Sequence, residues 1–84
     1  METKVLFFAG LREALGTGTE SLTLPADVAT VGALRDRLAA RGEPWSALAT
    51  TKNLRSAVNQ QMVGPEAPIK AGDEVAFFPP VTGG

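Results

Sequence analysis

The chain contains no cysteine and no histidine among its 84 residues. The absence of cysteine excludes disulfide bonds and a thiolate nucleophile. The absence of histidine removes the most common general base and the most common metal ligand. The chain therefore lacks the side chains from which most nucleophilic and metal-dependent active sites are built.

Charge and hydropathy exclude two further classes of partner. Eight basic and nine acidic residues give a formal net charge of −1, so there is no basic surface of the kind that binds nucleic acid. No apolar run approaches the length of a membrane span, and Met1–Lys4 lead straight into a strand-like run without a signal-peptide pattern. We therefore expect a cytoplasmic protein that binds neither nucleic acid nor a membrane.

Apolar periodicity and turn residues predict several short strands and one long helix. Strands are expected at residues 4–9, 21–24, 56–63 and 74–78, a helical turn at 11–15, a loop or short helix at 43–53 and a short strand or turn at 68–73. The long helix is expected at residues 30–41, with Thr30 as its N-cap and Gly42 just after its end.

One long helix among strands has to pack on one face of a mixed sheet. We therefore predict an α+β, ubiquitin-like β-grasp fold with four to five strands, in which the first and last strands lie parallel at the centre. Residues 1–80 are expected to form this domain and residues 81–84 a flexible C-terminal tail.

Two pairs of adjacent phenylalanines, Phe7-Phe8 and Phe77-Phe78, lie in the predicted central strands. Because successive strand residues point to opposite faces, only one member of each pair can pack under the helix. The other two rings start an apolar patch on the opposite face. Either loops or the segment around Trp45 cover this patch, or it is a protein-binding surface.

The last six residues are two prolines followed by Val81, Thr82, Gly83 and Gly84. Neither Pro79 nor Pro80 can donate to a sheet ladder, and each has a fixed φ. The pair is therefore expected to end the last strand and to project the tail outward. Glycine occupies the least space of any residue, so the Gly-Gly end can enter a narrow channel, although a merely frayed terminus is the alternative.

Four segments in order closely resemble one known family. GDEVAFFPPVTGG (residues 72–84) is similar to the C-terminus of the small, sulfur-carrying subunits of molybdopterin synthase, and KVLFFAGLRE (4–13), TVGALRDRLAARG (30–42) and AVNQ (57–60) resemble the same family. The resemblance covers nearly the whole chain.

The resemblance implies a specific covalent chemistry at the Gly84 carboxylate. An adenylyltransferase of the ubiquitin-activating type would use ATP and Mg²⁺ to adenylate it, and a cysteine desulfurase or rhodanese-like protein would supply sulfur to form a thiocarboxylate. The sulfur would then pass to cyclic pyranopterin monophosphate inside a heterotetramer with the large synthase subunit. This chain itself would bind no cofactor, and catalytic residues would lie on the large subunit.

The resemblance also assigns the phenylalanines that the alternation pattern leaves undecided. Phe8, Met62 and Phe78 would contact the large subunit, while Phe7, Val75 and Phe77 would face the helix. Arg12 matches a basic position of the family and would contact a partner, or would be a solvated surface arginine. The expected partner-binding tail residues are Pro79, Pro80, Val81 and Thr82, followed by the reactive Gly83 and Gly84.

Three other functions stay open at this stage. The first is the sulfur carrier of thiamine biosynthesis, which shares the Gly-Gly end but usually has a shorter chain without Phe-Phe-Pro-Pro. The second is a ubiquitin-like modifier that forms isopeptide bonds with lysines. The third is an interaction domain with an inert tail.

Overall fold

A computed structural model describes residues 1–80. Val81, Thr82, Gly83 and Gly84 lie outside the described residues, so the predicted tail stays a prediction. Residues 1–80 contain five strands and three helices in this order: β1 (Glu2–Phe7), α1 (Ala9–Leu15), β2 (Thr19–Thr23), α2 (Val31–Ala39), α3 (Ala47–Thr50), β3 (Arg55–Val58), β4 (Gln61–Val63) and β5 (Glu74–Phe78).

The strands form one mixed sheet in the order β2-β1-β5-β3-β4. The first and last strands, β1 and β5, are parallel neighbours, and Phe7 is paired with Phe77. The other three pairings are antiparallel. This arrangement confirms the predicted β-grasp fold and its parallel central pair.

The core lies between the sheet and the helices. Val5, Phe7, Val75 and Phe77 from the central strands are at most 1% exposed, and the rings of Phe7 and Phe77 stack with centroids 6.3 Å apart. From the helical side come buried residues Leu11, Leu15, Val31, Leu34, Leu38 and Leu48. Burial of these side chains is the main favourable term for folding.

Helix α2 has the N-terminus that the sequence predicts. Thr30 has an extended backbone, and its hydroxyl oxygen accepts a hydrogen bond from the Ala33 N–H at 3.2 Å. Such a cap satisfies one of the otherwise unpaired amides of the first turn. After the helix, Gly42 adopts φ +88°, a left-handed conformation that favours glycine.

The predicted strand at 56–63 is in fact a hairpin. Strands β3 and β4 pair antiparallel, with Val58 opposite Gln61, and only Asn59 and Gln60 form the turn. Both turn residues have positive φ, 51° and 71°, as two-residue hairpins of the I′ type require. The single-strand prediction was wrong because Asn-Gln is a weaker turn signal than Asn-Gly.

Within residues 1–80, no helix is both long and apolar enough to cross a membrane.

Candidate functional site

The side of the sheet opposite the helices carries an apolar surface, which we call the open face. It consists of Leu6, Phe8, Ala57, Met62, Ala76 and Phe78, which surround a shallow depression of about 280 Å³ together with Gln60 and Glu74. Three of the six are the residues expected to contact a partner protein, Phe8, Met62 and Phe78.

Strand alternation and register bring these residues together. Leu6 pairs with Ala76, Ala76 with Ala57, and Ala57 with Met62. Directly paired residues point to the same side of a sheet. These four residues therefore form one row on the open face that crosses the four strands β1, β5, β3 and β4. Phe8 and Phe78 are two residues after Leu6 and Ala76 in the chain, so they lie on the same face at the C-terminal ends of β1 and β5.

The rings of Phe8 and Phe78 form one end of the open face, which we call the aromatic end. The rings of Phe8 and Phe78 are in an edge-to-face arrangement with centroids 6.5 Å apart and planes at 77°. Phe8 is 46% exposed and Met62 is 57% exposed, the two large hydrophobic side chains most exposed among the described residues. An apolar patch of this kind on a small domain is typical of an interaction site.

Trp45 does not cover the open face. Its ring packs against Phe7, at 5.6 Å between centroids and 69° between planes, and Phe7 points to the helical side. The alternative that the Trp45 segment closes the patch is therefore wrong. The observed orientation of Phe7, Val75 and Phe77 toward the core is the predicted one.

The chain leaves the sheet beside this aromatic end. Pro79 and Pro80 directly follow β5 and are half-buried. Pro80 lines a groove that also contains Arg35 and Arg55, and Arg55 is paired with Phe78 in the sheet. The open face and the root of the predicted tail are thus continuous.

Arg12 lies elsewhere. It is an exposed residue in the last turn of α1. Its side chain lies against Gly18, so close that a Cβ at position 18 would be only 3.1 Å from the Arg12 Nε. The Arg12 side chain therefore packs on the turn before β2, outside the open-face depression. Its role in partner binding stays a prediction.

Opposite the aromatic end, the rim of the open face is polar, and its residues are joined by hydrogen bonds. The Asn59 side chain donates to Asp73 Oδ1 at 3.0 Å and accepts from the Glu74 N–H at 3.0 Å. The Lys70 N–H donates to Asp73 Oδ2 at 2.8 Å. The bond from Asn59, followed by that from the Lys70 backbone, lowers the pKa of Asp73 below its ordinary value, because both stabilise the carboxylate.

The described part of the chain has no cluster of three or more acidic side chains placed to hold a metal ion. The expectation that the chain binds no cofactor stays a prediction. Gly83, Gly84, Val81 and Thr82 fall outside the described residues, so their predicted roles are not tested by the geometry.

Five of the eight residues that line the depression were not singled out from the sequence: Leu6, Ala57, Gln60, Glu74 and Ala76. Arg55, in the adjoining groove, was missed as well. Gln60 could have been found only with the hairpin, because the two-residue turn is what places it on the rim. Arg55 could have been found from alternation: it is two residues before Ala57 and therefore on the same face.

The mixed five-stranded sheet with helices on one face and an apolar opposite face defines a ubiquitin-like β-grasp domain. The ThiS family matches residues 5–84, and the chain belongs to this family.

Similar proteins agree with this assignment. The chain is 49% identical over 81 residues to the molybdopterin synthase sulfur carrier subunit of Escherichia coli (strain K12), an alignment that covers 96% of this chain and 98% of that protein. Among solved structures, SAMP1 from Haloferax volcanii superposes with a TM-score of 0.79 at 28% identity over all of both chains. A chain of the complex of subunits 1 and 2 of molybdopterin-converting factor from Helicobacter pylori has the same fold, with a TM-score of 0.68 at 22% identity over all of both chains.

Proposed function

We propose that this chain is the sulfur carrier subunit of a molybdopterin synthase. The observation that carries the proposal is the 49% identity, over 96% of the chain, to a protein of that name. The open face supports it, since a carrier has to dock on the enzymes that load and unload it.

The large synthase subunit is the proposed occupant of the open face. Phe8, Phe78 and Met62 would form the apolar centre of the interface, which is the composition that interface cores favour. A β-grasp chain of the Helicobacter pylori molybdopterin-converting factor is found in a complex of subunits 1 and 2. For this chain we propose a heterotetramer, with two small subunits at the ends of a large-subunit dimer.

Docking on the open face would direct the chain's end into the partner. The face continues into Pro79 and Pro80, whose fixed φ angles favour an extended exit. Val81 and Thr82 would then lie in an entry channel of the partner. Gly83-Gly84 would pass the narrowest part of that channel because glycine has no side chain.

The proposed chemistry begins with activation of the Gly84 carboxylate. A carboxylate is a poor electrophile, so an adenylyltransferase of the ubiquitin-activating type would first join it to AMP, with release of pyrophosphate from Mg²⁺-bound ATP. The terminal sulfur of a persulfide on a cysteine desulfurase or rhodanese-like protein would then attack the carbonyl carbon, and a C–S bond would form as the C–O bond to AMP breaks. A thiol reductant would cleave the S–S bond of the resulting acyl disulfide, forming a disulfide with the donor cysteine and leaving a thiocarboxylate on Gly84.

The loaded sulfur is itself the nucleophile in the next step. It would form a C–S bond to a carbon of cyclic pyranopterin monophosphate as the bond from that carbon to an oxygen leaving group breaks, and water would hydrolyse the resulting thioester to return the Gly84 carboxylate. Two such transfers build the dithiolene of molybdopterin. The catalytic residues and the substrate site would belong to the large subunit, in the cytoplasm.

The test is sulfur transfer by reconstituted synthase. The chain carrying a Gly84 thiocarboxylate is mixed with the large subunit and cyclic pyranopterin monophosphate, and the dithiolene product is measured by mass. We expect product from the loaded chain and none from the unloaded chain or from a chain lacking Gly84. Binding of the large subunit without any product from the loaded chain would contradict the proposal.

A ubiquitin-like protein modifier is the second candidate, favoured by the TM-score of 0.79 to SAMP1. Activation of the terminal carboxylate would be the same, but lysine amines would replace sulfur as the acceptor. Isolation of this chain in isopeptide linkage to many unrelated proteins would favour this function. For the third candidate, the thiamine sulfur carrier, the test is the partner that co-purifies with the chain. A thiazole synthase would favour it, and a pterin-binding subunit would favour molybdopterin synthase.

A further inference from the structure

The turn between β3 and β4 has a residue that the fold alone does not favour. At the second position of a two-residue I′ turn, glycine is strongly preferred because φ is positive. Gln60 occupies that position with φ 71°. A glutamine in the left-handed region is strained, since its Cβ crowds the backbone.

Its neighbour Asn59 has a structural reason to be there. The Asn59 side chain makes two hydrogen bonds, one to Asp73 just before β5 and one to the first residue of β5, Glu74, and the Asn59 backbone N–H donates to the Glu74 carbonyl at 2.8 Å. Asparagine also tolerates positive φ better than most residues. Asn59 therefore fixes the hairpin to the centre of the sheet.

Gln60 has no comparable role in the fold. Its side chain is exposed, and within residues 1–80 its amide takes part in none of the side-chain hydrogen bonds. The residue nevertheless lines the open-face depression together with Phe8, Met62 and Phe78. A strained residue beside a candidate site points to a function for its side chain.

We infer that Gln60 is a partner-contacting residue, whose amide hydrogen-bonds to a backbone peptide or side-chain amide of the protein that docks on the open face. The inference rests on the proposed function, in which that protein is the large synthase subunit. A primary amide both donates and accepts, so a peptide or another amide is its complementary group.

The position on the rim explains why such a bond would matter. Apolar contacts at Phe8, Met62 and Phe78 are non-directional and do not by themselves fix the rotation of the partner on the face. Once the partner excludes water, an amide at the edge of the depression has to be paired, because an unpaired buried polar group is costly. A bond at Gln60 therefore selects one orientation of the partner.

The variant Gln60→Gly tests this inference because it changes affinity and stability in opposite directions. Glycine relieves the positive φ, so the unfolding midpoint Tm is expected to rise by about 2–6 °C. Loss of the amide is expected to raise the Kd for the purified large subunit about three- to tenfold. Calorimetric titration and thermal unfolding of the full chain give the two values.

The adjacent residue supplies a matched control. Gln61 is exposed and has the same side chain, but it is paired with Val58, which packs toward the core. It therefore points away from the open face. We expect Gln61→Ala to leave the Kd for the large subunit unchanged.

The outcomes separate this inference from the proposed function. If the unsubstituted chain binds the large subunit and Gln60→Gly binds equally tightly, the inference is overturned and the proposed function stands. A Gln60→Gly chain that is less stable overturns it as well, because the residue would then have a structural role. If the unsubstituted chain does not bind the large subunit, the proposed function fails and the inference fails with it.

Discussion

The rings of Phe8 and Phe78 meet edge to face, 6.5 Å apart, on the side of the sheet that faces away from the helices. Each is the chain neighbour of a phenylalanine that is buried on the other side, Phe7 and Phe77. The two pairs therefore divide one type of side chain between two tasks. One ring of each pair stabilises the domain, and the other is available to a partner.

Removing a ring on the open face should weaken docking without unfolding the domain. For Phe8→Ala and Phe78→Ala we expect at least a tenfold higher Kd for the large subunit, since aromatic side chains at the centre of an interface are commonly worth about 2 kcal/mol or more. Titration of each variant gives the Kd, and thermal unfolding shows that the fold is retained.

A control for these variants is Leu22→Ala. Leu22 is a half-buried residue of β2 that is paired with the buried Thr3 and packs toward the core. Its truncation is expected to cost stability but no affinity. Equal loss of affinity in all three variants would contradict a docking role for the open face.

Truncation of the buried neighbour should have the opposite effect. Phe77 is 0% exposed and stacks on Phe7, so Phe77→Ala leaves a cavity in the core and is expected to cost about 3–5 kcal/mol. The whole domain has roughly 4–12 kcal/mol of stability at this size. Urea unfolding should therefore show a large fall in the midpoint, and a shift smaller than that of Phe78→Ala would contradict the assigned faces.

Much of this division could be predicted from the sequence. Doubled phenylalanines in two strands require one ring on each face, and one long helix can cover only one of them. The residues alone did not decide which phenylalanine faces the helix, because alternation fixes the period of a strand and not its phase. The resemblance of the chain to a family supplied the phase that the structure has.

Other parts could not be predicted, for physical reasons. The hairpin at Asn59-Gln60 was missed because the second residue is not the glycine that positive φ favours. The strand bounds near the N-terminus differ because pairing with β2 extends β1 back to Glu2, and such a long-range contact leaves no local pattern. The position of Gln60 on the rim of the open face could not be predicted either, because it depends on the hairpin.

The hydrogen bonds of Asp73 make part of the stability dependent on acid pH. Bonding to Asn59 and Lys70 lowers the pKa of the folded carboxyl below its ordinary 3.8. The unfolded chain therefore binds the proton more readily, so this stabilisation is present above pH 3.8 and is lost as the pH falls through the folded pKa.

We expect Asp73→Asn to flatten the fall of the unfolding free energy below about pH 4. Asn59→Gly keeps the turn conformation and removes the largest cause of the shift, so it should have the same effect to a smaller extent. Urea unfolding from pH 2 to pH 6 measures both. An acid dependence identical to that of the unsubstituted chain would show that these bonds do not stabilise the fold.

The ion pair between Arg41 and Glu20 joins the segment after α2 to the edge strand β2. The two guanidinium nitrogens of Arg41 donate to the two carboxylate oxygens at 3.1 and 2.6 Å, and the guanidinium carbon lies 4.6 Å from the Trp45 ring centroid. The hydrogen bond to Glu20 raises the pKa of Arg41.

Arg41→Lys removes the bidentate hydrogen bond to Glu20 and the stacking of the guanidinium on the Trp45 ring. Because the side chains of Arg41 and Glu20 are partly exposed, this is expected to lower the free energy of unfolding by only about 0.5–1 kcal/mol. Arg37→Lys, at an exposed position of α2, is the control and should cost less. Denaturant unfolding at low ionic strength measures the difference. An equal cost for the two variants would mean that the Glu20 and Trp45 contacts add nothing.

The most direct test of the account is the mass of the intact chain after loading. The chain is incubated with the activating enzyme, Mg²⁺-ATP and a sulfur donor, and its mass is compared with that of the untreated protein. We predict an increase equal to the difference between one sulfur and one oxygen atom, located by fragmentation at Gly84 and lost again when the large subunit and cyclic pyranopterin monophosphate are added. A chain whose mass does not change under any loading condition would contradict the proposal that it carries sulfur.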